Sequence, residues 1–177
     1  MSMFPIASLS FPSGSSGGNI QFNSIPQTFT HLQLRCFVRT DEAAAVSGCA
    51  FDFINGTQTY SQHELQGNGS STSSFGNSNL SIVNFLPVPA ASSTSSVFGI
   101  IVVDILDYTS TVKNKTIRQI GGYDANGSGV ASLKSGAQYD SATPITQIRL
   151  RPYSASNFVQ YSRFDLYGIT TSQVTGA

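Results

Sequence analysis

The sequence is short of charge. Lys and Arg number nine, as do Asp and Glu, so 10% of its 177 residues are charged and the formal net charge is zero. Soluble domains carry about 25% charged residues. Without a basic excess there is little to neutralise a run of phosphates, so no nucleic-acid partner is expected. Tryptophan is absent, and cysteine and histidine occur twice each, too few for a disulfide framework. His31, His63, Cys36 and Cys49 match no zinc-ligand spacing, so no metal and no cofactor is expected. The opening Met1-Ser2-Met3-Phe4-Pro5 has no basic segment, and no secretory signal is expected. The longest apolar run, residues 97–106, is broken by Gly99 and Asp104 and is too short for a membrane-spanning helix, so no membrane partner is expected.

A weakly charged, neutral surface resists self-association poorly, which suits a subunit of an assembly. Length and apolar content (40% hydrophobic) allow a sizeable core without staples. Short alternating or apolar runs recur between Gly/Ser/Asn/Pro clusters, the rhythm of a sandwich or barrel. In residues 31–39, Leu32, Leu34, Cys36 and Val38 take one side, and Gln33, Arg35 and Arg39 the other. Residues 49–54 follow the same rule and end at Asn55-Gly56, a turn signal from which residues 60–65 read as the returning arm of a hairpin.

Further strands are expected at 6–11, 19–22, 80–85, 97–106, 116–121, 129–133, 145–151 and 162–169. The 97–106 run is apolar on both faces, as for a central strand covered on both sides or one at a subunit contact. The fold class is therefore all-β, an antiparallel β-sandwich of about ten strands with little or no helix. One domain, 1–177, is expected, with its core at 6–169. A single helical turn is expected at 41–46, capped by Asp41. Residues 12–18, 67–79 and 90–96 read as loops, the middle one reaching towards a neighbour. Cys36 and Cys49 read as small buried hydrophobes in preference to a disulfide.

No catalytic centre is legible. Asp124-Ala-Asn126-Gly-Ser128 has the opening spacing of a calcium loop, but its twelfth position is Ser135 where a bidentate Glu is needed; a turn is the better reading. Asp52 and Asp165 read as solvated outward-facing groups. The Asn-X-Ser/Thr triplets at Asn55, Asn68, Asn79, Asn114 and Asn126 are expected by chance in so polar a chain. One feature suggests binding. Tyr153, Tyr161 and Tyr167 lie near Arg149, Arg151 and Arg163, and Tyr and Arg are enriched at binding hot spots. Two readings of these candidate interface residues stand level: a subunit contact or sugar platform, and rings filling the inside of the second sheet.

Asn157-Phe-Val-Gln-Tyr-Ser-Arg-Phe-Asp-Leu-Tyr-Gly-Ile169 resembles the closing strand of a group of tailed-bacteriophage virion surface proteins. Further elements agree in order: Ile6-Ala-Ser8, the segment Ile20-Gln-Phe-Asn-Ser-Ile-Pro-Gln-Thr-Phe-Thr-His-Leu-Gln-Leu-Arg35, Phe53-Ile-Asn-Gly56, and Tyr60-Ser-Gln-His-Glu-Leu-Gln-Gly-Asn-Gly69. The resemblance spans nearly the whole chain and implies a jelly-roll-like sandwich used as a structural protein. It carries over no catalytic or binding residue. Under it the chain is a virion protein assembled in the bacterial cytoplasm, foremost a capsid decoration or cement protein. Its partners would be the major capsid protein and copies of itself, a homotrimer being favoured. A rival is a tail fibre or tail-tip module binding a host glycan. A weaker third is an enzyme on cell-wall sugar using Glu64 and Asp104.

Overall fold

A computed structural model describes residues 2–54, 58–84, 86–138 and 142–171. Fourteen strands occur among them and no α-helix. In chain order these are β1 Ser2–Ser10, β2 Ile20–Phe22, β3 His31–Val38, β4 Val46–Ser47, β5 Cys49–Phe53, β6 Tyr60–Gly67 and β7 Thr72–Leu80. There follow β8 Val83–Asn84, β9 Val88–Pro89, β10 Gly99–Leu106, β11 Lys115–Asp124, β12 Gly129–Gln138, β13 Ile148–Pro152 and β14 Arg163–Thr170. Eight strands form one sheet in the order β1-β14-β3-β10-β11-β12-β6-β7. Four form a second, β2-β13-β5-β8, and β4 pairs with β9. Every ladder is antiparallel.

The two-residue pleat explains the sandwich. On β3, Leu32, Leu34, Cys36 and Val38 are buried, as are Ile101, Val103 and Ile105 on the adjacent β10. Across from them Phe51 and Phe53 of β5, Ile148 and Leu150 of β13, and Ile20 and Phe22 of β2 join the same core. Towards the β6 side the core turns polar: Gln119, Lys134 and Gln138 are almost fully buried. Pro5 lies on β1, an edge strand, where a missing N–H costs no ladder bond, and the register shifts just beyond it. Loop 90–97 is organised by buried Arg39, which donates to the carbonyls of Thr94 (2.7 Å), Val97 (2.9 Å) and Ser93 (3.0 Å).

Several expectations change. Residues 72–79, read as loop, form with Leu80 the edge strand β7 paired to β6. Residues 49–54 and 60–65 are not arms of one hairpin. β5 pairs with β13 and β8 in the small sheet, and β6 with β12 and β7 in the large one. The Asn55-Gly56 turn lies outside the described residues. Residues 41–45 make no helical turn; Asp41 instead accepts from the backbone N–H of Asn157 at 2.6 Å and from its side-chain amide at 3.0 Å. Cys36 and Cys49 are free and buried.

Candidate interaction face

Because inward residues of β3, β10, β11, β12 and β6 fill the core, their alternate residues face outward from the large sheet. The registers place Arg35, Val102, Ile120, Leu133 and Leu65 in one row across five strands. The next row holds Phe37, Ile100, Gly122, Ala131 and Gly67. Ile100 is 58% exposed, Ile120 57%, Leu65 56%, Phe37 48% and Leu133 47%. The Phe37 ring stacks on Phe98 with centroids 4.7 Å apart. Single exposed hydrophobes are ordinary, but a contiguous apolar patch of several hundred Å² marks an interaction surface. Among the described residues β10 is therefore central yet covered on its inner side only.

A third row, Gln33, Asp104, Arg118, Ser135 and His63, is polar and internally paired. Asp104 accepts from Arg118 at 2.5 Å and from Gln33 Nε2 at 2.8 Å. Beside β3, on β14, Arg163 donates to Asp165 at 2.7 Å, and Ser8 Oγ donates to the other carboxylate oxygen at 2.6 Å. The Asp165 bond favours the charged form of Arg163 and raises its pKa. Arg35 sits 5.2 Å from the centre of the Tyr167 ring, a cation–π contact. A cavity of about 600 Å³ opens where His63, Leu65, Phe75, Arg118 and Leu133 meet near β7. A smaller one, about 430 Å³, lies among Arg35, Phe37, Ile100, Tyr161 and Arg163.

The structure separates the Tyr and Arg candidates into two groups. Arg163 and Tyr167 lie on the outer face of the large sheet, with Tyr161, 57% exposed, just before β14. Arg149, Arg151 and Tyr153 belong to the small-sheet side. Arg149 Nε donates to Asp52 at 3.0 Å and the pair is bidentate; that bond raises the Arg149 pKa. Arg151, two residues along, faces Ala50 on β5, and its buried Nε has no hydrogen-bond partner among the described residues. Tyr153 packs over Gly48, and its hydroxyl bonds Asn84. Neither Asp52 nor Asp165 is solvated. Both are 9% exposed, each beneath an arginine.

Glu64 and Asp104 lie on opposite faces of the large sheet. Glu64 is paired with buried Lys134 at 3.0 Å on the inner side, and burial lowers the pKa of that lysine. Asp124 Oδ1 accepts the backbone N–H groups of Asn126 (2.8 Å) and Gly127 (3.2 Å), making the turn its sequence suggested. The exposed apolar rows were missed in the sequence except at 97–106, because parity becomes informative only once strand register is known. Comparison of the chain with protein-family models, curated proteins and solved structures returned no match.

Proposed function

We propose that the chain is a structural subunit of a tailed-bacteriophage virion, a capsid decoration or cement protein that stabilises the shell. The observation that carries this reading is the outward apolar face of the large sheet, with Ile100, Ile120 and Leu65 each more than half exposed. A surface of that kind is costly in a free protein and useful in an assembly, where another surface covers it. The low charge of the chain agrees, since little long-range repulsion opposes close packing of copies. The jelly-roll likeness and the major capsid protein as partner belong to this proposal and come from the resemblance. Purified particles test it. Mass spectrometry should find the chain at hundreds of copies per virion, and particles lacking it should lose genome at lower temperature or osmotic stress. Absence from purified particles would end the reading.

The second reading is a tail module binding host-surface carbohydrate. It is favoured by the cavity among Arg35, Tyr161 and Arg163, where an exposed ring stands beside guanidinium groups. A few dozen copies at the tail, with saccharide binding on a glycan array lost in Tyr161→Ala, would establish it over decoration.

A further inference from the structure

We infer that a second copy of this chain packs against the outer face of the large sheet, related to the first by a two-fold axis. The inference rests on the proposal that the chain is an assembly subunit, and adds what covers its apolar face. The argument begins with shape. The row of large side chains Val102, Ile120, Leu133 and Leu65 is a ridge across the sheet, and beside it Gly122, Ala131 and Gly67 form a shallow trough. A two-fold axis between the two rows lays the ridge of each copy in the trough of the other. This is the self-complementarity that an isologous contact requires.

Charge selects the same occupant. Two acids on this face are met by bases of the same face, Asp104 by Arg118 and Asp165 by Arg163, and a third, Asp124 at its rim, accepts backbone N–H groups. Arg35 is directed onto Tyr167. No one-signed field is left to select a basic or acidic partner, and the complementary surface is another that is neutral and apolar, like this one. The five most exposed hydrophobic side chains in the two rows present on the order of 500 Å². Their polar neighbours bring the face towards the ~800 Å² per partner of a stable interface. Two sheets stacked in this way lie about 10 Å apart. Such a contact closes at two copies, so it replaces the three-fold arrangement expected from the resemblance.

Light scattering on the purified chain tests the inference. At tens of micromolar the expected mass is twice the 18.8 kDa of one chain. Ile120→Asp and Leu133→Lys place charge on exposed positions, so the circular dichroism spectrum should be unchanged. Each should weaken the dimer by ~30-fold or more. Val112→Lys, in the loop between β10 and β11 and 86% exposed, should leave the dimer intact. A monomer or trimer at high concentration would overturn the inference, as would a dimer that survives Ile120→Asp or dissolves with Val112→Lys. A solution monomer that is nevertheless found on particles removes this contact and keeps the virion reading. A dimer absent from particles does the reverse.

Discussion

The ring of Tyr153 occupies the space where Gly48 has no side chain: a Cβ at residue 48 would stand 2.3 Å from Cδ2 and 2.6 Å from Cε2. The Tyr153 N–H donates to the Gly48 carbonyl at 3.0 Å, so backbone and ring fix the same approach. Burial pushes the Tyr153 hydroxyl up to about 12, as for a side chain that braces the fold.

Gly48→Ala must therefore displace the ring and its bond to Asn84. Overpacking of this kind costs about 1–3 kcal/mol. Urea unfolding should show a lower midpoint with an unchanged slope. An unshifted midpoint would mean that the ring has room to move aside.

The turn after β13 is strained in a way that can be relieved. Ser154 (φ 57°) and Ala155 (φ 53°) both adopt left-handed backbone, and the Ser156 N–H donates to the Tyr153 carbonyl at 3.2 Å. This is the backbone of a type I′ turn, for which Asn-Gly is the favoured pair. A residue with a Cβ costs ~1–2 kcal/mol there. Ala155→Gly should stabilise by ~0.5–1 kcal/mol after the extra entropy of the unfolded chain is counted, raising Tm by about 1–4 °C. Ala155→Val should lower Tm. A scanning calorimeter reads both.

The thiols predict loss of stability in alkali. Burial raises the pKa of Cys36, and lifts Cys49 from 9.0 to about 12. A folded pKa above the unfolded one means that the folded state holds protons the unfolded state releases. This stabilisation is complete below pH 9 and lost as pH rises towards 12, approaching ~1.4 kcal/mol per pH unit for each group. Tyr153 acts in the same sense, while Lys134 and Lys115, whose pKa values burial lowers, oppose it. The informative quantity is thus the difference between variants. Urea stability measured at pH 8 and at pH 10.5 should fall less in Cys36→Ala/Cys49→Ala than in wild type. Equal falls would show that the thiols ionise in the native state. A thiol reagent at pH 8 should label both only on unfolding.

Strands that bury one face were legible because their side chains alternate, and β3 is the clearest case. β7 was not legible: in Thr72-Ser-Ser-Phe-Gly-Asn-Ser-Asn-Leu80 nearly every residue is exposed, so the strand rests on backbone bonds to β6 and carries no apolar period. The Asn55-Gly56 signal points to a turn but cannot name the sheet that receives the next strand, which is why β5 and β6 were read as partners. Nearness in sequence grouped the Tyr and Arg candidates without assigning them to a sheet, and so joined residues on two sides of the sandwich. Burial of Asp52 depends on Arg149, 97 residues away, a distance over which local pattern carries no information.

The position of β14 has a consequence for how the chain reaches this state. The last strand described lies between β1 and β3, so until residues 163–170 have been synthesised the first strand has no neighbour in the sheet. Most of the large sheet can form earlier, from β3 to β7, but it ends in an open edge that only the final segment closes. Such non-local pairing is slow. Closure of this edge must thus wait for residues 163–170, and a nascent chain stalled before residue 163 should leave residues 2–10 accessible to protease.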